Sequence, residues 1–140
     1  MKPITILLAE DHPDIRSGLQ ALLLGESDFE IVGAAENGRQ AVALASKLCP
    51  DVVVMDIAMP LLNGLEATRQ ILRTTASIKI IILSAHDEEE YIEHSLALGA
   101  AGYMVKNKAA HLLPQAIRAV HQGQIVINSG EPIHPAHEPD

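Results

Sequence analysis

Aromatic side chains are nearly missing from this sequence: it has one phenylalanine, two tyrosines and no tryptophan. A core built without them must come from Leu, Ile, Val and Ala, as in parallel sheets covered by helices. Cysteine is scarcer still. The single Cys49 excludes an internal disulfide, suits a reducing cytoplasm, and reads as a small buried hydrophobe. Positive charge is also short. Ten Lys and Arg face 18 Asp and Glu, a formal net charge of −8. That balance argues against direct binding to nucleic acid or an anionic membrane. No apolar run is long enough to span a bilayer. Met1-Lys2-Pro3 passes straight into an apolar run, so no signal peptide is expected. The 140 residues fit one domain, and 48% of them are hydrophobic, enough to enclose a core.

What the sequence does have is a set of short apolar runs ending in acid. Ile4 to Ala9 ends in Glu10-Asp11, and Val52 to Met55 ends in Asp56. Runs this short and this apolar read as strands buried on both faces. Ligands of open parallel sheets bind outside the carboxyl ends of strands. If the two strands are neighbours, three carboxylates converge at one sheet edge. Crowded carboxylates repel one another, so the site calls for a hard divalent cation such as Mg²⁺. A metal beside a nucleophilic carboxylate is suited to taking up a phosphoryl group.

Strand and helix signals alternate along the chain. Pro13 suits the first turn of a helix whose inward face is Ile15, Leu19, Leu22 and Leu23, ended by Gly25. Glu30 to Ala35 is a strand, followed by a turn at Asn37-Gly38. Ala41, Leu44, Ala45 and Leu48 face inward on a second helix closed by Pro50. Asp51 to Asp56 is the third strand, and a loop from Met59 to Gly64 leads to a helix with Leu65, Thr68, Ile71 and Leu72. Ile78 to Leu83 is the fourth strand, ending at Ser84-Ala85-His86. Asp87 to Glu90 load acid onto the start of a helix carrying Ile92 and Leu96, favourable for its dipole. Ala100 to Val105 is the fifth strand, ending at Lys106, and a last helix runs from about Ala110 to His121. The expected fold is α/β: an open, doubly wound, five-stranded parallel sheet, flavodoxin-like, in strand order 2-1-3-4-5. Residues 1–123 form the domain; residues 124–140, rich in proline, read as a linker or disordered tail.

Taken in order, Ala9-Glu10-Asp11-His12, Met55-Asp56-Ile57-Ala58-Met59-Pro60, Asn63-Gly64, Leu83-Ser84-Ala85 and Gly99-Ala100-Ala101-Gly102-Tyr103-Met104-Val105-Lys106 resemble a two-component response-regulator receiver domain. The resemblance covers essentially all of Ile4 to Gly123. The fifth-strand motif, with Leu112-Leu113 and Ala116-Ile117-Arg118-Ala119-Val120, is similar to receivers of the NarL/FixJ type. The resemblance implies that Asp56 accepts a phosphoryl group from a sensor histidine kinase. It implies that Asp11, Asp56 and the Ala58 main-chain carbonyl hold Mg²⁺ directly, and Glu10 through water. Lys106 would pair with the phosphoryl charge, Ser84 would donate its hydroxyl, and Tyr103 would turn inward when Ser84 moves. A homodimer on phosphorylation and a cytoplasmic location are expected. DNA would be reached only through a C-terminal domain, and no such domain is visible here. A membrane partner is not expected.

The chain departs from the family pattern at three places. Asn107 rather than proline follows Lys106, so the bond between them is expected to be trans. Serine stands where threonine is commoner at Ser84. Ala58 and His86 occupy the variable positions flanking the site; Ala58 cannot shield a phosphoryl group, whereas His86 has the reach. A stand-alone receiver acting by protein contact is the alternative output. An aspartyl-phosphate hydrolase would want a second acid two residues after Asp56, where Ala58 stands. A flavodoxin-type FMN binder would want a polar phosphate loop after the first strand and aromatics around the ring. The reading is therefore a signalling module rather than an enzyme.

Overall fold

The alternating apolar runs become alternating strands and helices in a computed structural model that describes residues 2–128. In chain order these are β1 (Ile4–Ala9), α1 (Pro13–Leu24), β2 (Phe29–Ala35), α2 (Gly38–Leu48), β3 (Val52–Asp56), α3 (Gly64–Thr74) and β4 (Lys79–Ser84). There follow α4 (Glu89–Ala97), β5 (Gly102–Val105), a short α5 (Lys106–Ala109), a 3₁₀ turn (Ala110–Leu112), α6 (Leu113–His121) and β6 (Val126–Ile127). The sheet is parallel throughout, in the order β2-β1-β3-β4-β5-β6.

Side chains alternate across each strand, and this sorts the core into two layers. Ile4, Ile6 and Leu8 of β1 meet Leu19 and Leu23 of α1 and Leu113, Ile117 and Val120 of α6. Leu7 and Ala9 face the opposite way, with Val53, Met55, Ile80 and Ile82, onto Ala41 and Ala45 of α2 and Ala67 and Ile71 of α3. Small alanines on α2 and α3 let those helices lie close to the sheet. Asn37 and Asn63 cap them, each side-chain oxygen accepting a backbone N–H three residues on, from Gln40 and Glu66.

The expected order 2-1-3-4-5 is present, but the sheet has a sixth strand. Val126 N–H bonds the Ala101 carbonyl at 3.0 Å, and Gly102 has no side chain to hold the new strand away. A two-residue strand carries no period to read in a sequence, so residues 124–128 were expected in the tail. The rest of that tail, from residue 129, lies outside the described residues. The last helix also starts differently. The chain turns helical at Lys106, tightens to 3₁₀, and begins α6 at Leu113 because Pro114 has no N–H and suits a first turn. Ile15 is exposed rather than inward, one turn too early on α1 to reach the sheet. Cys49 is exposed too. It ends α2 in a left-handed conformation (φ 46°), which turns the chain toward buried Pro50 and swings the thiol outward. Among the described residues there is no cis peptide bond, so Lys106-Asn107 is trans. No helix among them is long and apolar enough to cross a membrane.

The chain moves outward from β1 to β2, then crosses to β3 on β1's other side. The crevice outside the carboxyl ends of β1 and β3 is the place where such a sheet opens.

Candidate functional site

Three strand ends supply the site. β1 passes directly into Glu10, whose backbone N–H bonds the Ala35 carbonyl at 3.0 Å, and then into Asp11. β3 ends on Asp56, and β5 ends at Val105, one residue before Lys106. Glu10 and Asp56 are nearly sealed from solvent, with 1% and 3% of their surface exposed. Burial of two carboxylates needs a cation, and the chain provides Lys106. Its Nζ lies 2.9 Å from Glu10 Oε1 and 3.3 Å from Asp56 Oδ1. The ammonium therefore bridges the pair and sits closer to Glu10.

The charges divide unequally. Burial, and then the charge of Glu10, push the Asp56 carboxyl up to about 6, against the pull of Lys106. Burial also works to raise Glu10, but the Lys106 ammonium and hydrogen bonds from His12 outweigh it and hold Glu10 below its usual value. Burial works to lower Lys106, and the Glu10 and Asp56 carboxylates more than reverse it. Backbone donors assist: Ala58 N–H points to Asp56 Oδ1 at 3.3 Å, and His12 N–H to Glu10 Oε2 at 3.2 Å.

Not every oxygen is satisfied. Glu10 Oε1, Asp11 Oδ1 and Asp56 Oδ2 are buried atoms that accept no hydrogen bond of good geometry. The first has only its ion pair with Lys106, and the second stands 3.2 Å from His12 Nδ1 without the alignment of a hydrogen bond. Carboxylate oxygens of Glu10, Asp11 and Asp56 and a ring nitrogen of His12 all lie within 4.8 Å of one another. Orphaned oxygens on a hard donor set are what an oxygen-seeking divalent cation satisfies, so the residues present fit such an ion.

Ser84 and Tyr103 lie on the neighbouring strands. Ser84 is buried at the end of β4, and its Oγ accepts the His86 N–H at 3.0 Å. Tyr103 is fully buried, and its hydroxyl donates to the His86 carbonyl at 2.7 Å. The tyrosine is thus already inward in this structure. The His86 ring stacks on Tyr91 of α4, with centroids 4.2 Å apart, and its Nδ1 is 3.5 Å from Glu88.

The structure brings Glu10, Asp11, Asp56 and Lys106 together as the sequence suggested, with Ala58 on the loop beyond Asp56. Two contributors were missed. His12 adds a nitrogen to the acidic cluster, and its place directly after the acid pair was the available signal. Arg16 donates to the Glu10 carbonyl at 2.7 Å, one helical turn beyond His12, and nothing in the spacing announced it.

The loop between β3 and α3 packs against the end of β3. Gly64 lies against the backbone of Asp56 and Ile57 so closely that a methyl group there would collide with the Asp56 carbonyl. Its N–H bonds the Ile57 carbonyl at 2.8 Å. The Asn-Gly pair was legible in the sequence; this contact was not.

Comparison with known proteins gives a consistent result. The profile of the family described as "Response regulator receiver domain" matches residues 6–118. The chain is 42% identical over 132 residues to the transcriptional regulatory protein DegU of Brevibacillus brevis, covering 94% of this chain and 53% of that protein. It is 41% identical over 126 residues to the response regulator UvrY of Escherichia coli, covering 90% and 58%. The chain therefore spans little more than half the length of these curated relatives. A two-component response regulator of the LuxR family from an Aurantimonas species superposes with a TM-score of 0.87 at 31% identity, covering 91% of each chain.

Proposed function

Because this chain belongs to the response-regulator receiver family, we propose that Asp56 is its phosphoacceptor and a sensor histidine kinase its phosphodonor. The observation that carries the reading is Asp56 itself: a buried carboxylate at a strand end, beside Lys106, with one oxygen unpartnered. An oxygen of Asp56 attacks phosphorus, the new O–P bond forms, and the N–P bond to the donor imidazole breaks. The electron pair of that bond stays with the donor nitrogen. When bound here, Mg²⁺ would supply positive charge against the crowded carboxylates and the phosphoryl oxygens. Asp11, Asp56 and the Ala58 main-chain carbonyl would hold it, and Glu10 would act through water.

The protein's own groups do the rest. Lys106, already bridging Glu10 and Asp56, turns its ammonium toward a phosphoryl oxygen as a point charge. Ser84 gives up the His86 N–H and donates its hydroxyl to a second oxygen. That movement alters the segment that Tyr103 and Tyr91 hold through His86, and so the surface around α4 and β5. Ala58 offers no side-chain acid or base, which supports a phosphoacceptor over a rapidly turning-over hydrolase.

One relative, DegU, is named a transcriptional regulatory protein. We infer that the chain's output is of that kind, through a DNA-binding domain outside the aligned region, with phosphorylation-dependent pairing of two copies in the cytoplasm. Incubation with Mg²⁺ and a small phosphodonor, read by intact mass, tests the site. One phosphoryl group is expected on the native chain and none on Asp56→Asn. Equal uptake by both would place the acceptor elsewhere.

A further inference from the structure

Asn128 stands where the chain leaves the sheet. β6 pairs with β5 only at Gly102–Val126 and Tyr103–Ile127. At the next residue the backbone turns left-handed, φ 52°, a conformation asparagine tolerates better than most side chains. There the Asn128 N–H donates to the Tyr103 carbonyl at 2.7 Å. Its side-chain Oδ1 accepts the Val105 N–H at 2.9 Å. The side chain thus continues a ladder that the backbone has abandoned. The two bonds straddle Met104 and clamp the end of β5.

That end of β5 is the mounting of Lys106. Val105 is buried, pairs with Ser84 across the sheet, and caps the four-residue α5 without any side-chain hydrogen bond of its own. The Asn128 side chain is what holds its amide. Lys106 follows directly on Val105, so the hold on the Val105 amide fixes where the lysine stem begins. A reacting group misplaced by about 1 Å can cost about a hundredfold in rate.

We propose that Asn128 is a positioning residue for Lys106, and that this clamp couples the phosphoacceptor site to β6. The proposal rests on the reading of Asp56 and Lys106 given above. Coupling of this kind is reciprocal. A phosphoryl group that draws Lys106 forward changes the hold on Asn128, and loss of the Asn128 hold loosens Lys106.

The test uses two variants of the chain. Asn128→Gly keeps the left-handed backbone and deletes the acceptor; Asn128→Asp keeps both. Amide hydrogen exchange at Val105 is followed by NMR. Phosphoryl uptake from acetyl phosphate with Mg²⁺ is followed by intact mass over a range of donor concentrations. In Asn128→Gly, Val105 exchange should quicken about five- to tenfold, the worth of one modest hydrogen bond. The maximal uptake rate should fall by a similar factor, about five- to tenfold, with half-saturation little changed. Asn128→Asp should restore both. Phosphorylation should alter Val105 exchange in the native chain and not in Asn128→Gly. Native uptake rates in Asn128→Gly, or unchanged Val105 exchange, would overturn the clamp. A native chain that takes up no phosphoryl group, or an Asp56→Asn chain that takes it up equally, overturns the phosphoacceptor reading and the coupling with it. Thermal melts establish that both variants are folded; if Asn128→Gly is not, Asn128→Ala takes its place with the same outcomes.

Discussion

A single arginine shows how one side chain fastens two distant parts of the sequence. Arg118 on α6 gives two N–H groups to Asp28, each at 2.8 Å, and a third to Glu26, while its guanidinium lies 4.8 Å above the Phe29 ring. Arg118 holds the Asp28 carboxyl below its usual value, chiefly through those hydrogen bonds. A carboxylate with a lowered folded value contributes stability above its unfolded value, about 3.9, and loses it as pH falls through the folded one. Arg118→Ala should therefore melt below the native chain at neutral pH. The gap should narrow on acidification below about pH 4. A gap independent of pH would mean that Arg118 acts only by packing on Phe29. At this scale the acids at the strand ends were legible as a set: each alone could be a turn or a helix cap, but Glu10-Asp11, Asp56 and Lys106 recur at three strand ends. The partners of those acids were less so. Lys106 could be named from its strand end, but Arg118 and Asn128 act across separations of 90 and 23 residues that no local pattern encodes.

The elements tell a different story, because each is positioned by its ends. Helix α3 can begin where it does only because Gly64 lies flat on the Asp56 carbonyl. Gly64→Ala should destabilise the fold by about 3 kcal/mol, the upper range for overpacking, since backbone rather than a flexible side chain must yield. Chemical denaturation measures it, and a loss below about 1 kcal/mol would show that the loop shifts freely. The five long strands and the main helices followed from period and punctuation. What escaped was short or bent: the two residues of β6, the 3₁₀ turn before Pro114, and the left-handed end of α2 that exposes Cys49. Each is decided by a hydrogen bond or a backbone angle, which hydrophobic pattern does not record.

For the whole molecule, the acidic cluster is a store of repulsion that a cation relieves. An ion binding only the folded state stabilises it by about 2.7 kcal/mol at a hundredfold excess over its Kd. Melting temperature should rise with Mg²⁺ and fall back when a chelator removes it. Asp11→Ala should erase most of the rise, and an undiminished rise would count against Asp11 as a ligand. One last consequence comes from the borders of the sheet. On one side stands β6, two residues long; on the other stands β2, whose pairing with β1 slips between Ile6 and Leu7 so that Val32 is left over. A short border and a buckled one give no straight row of free amides for a neighbouring copy to extend. Among the described residues, strand-to-strand extension between copies is therefore disfavoured at both margins.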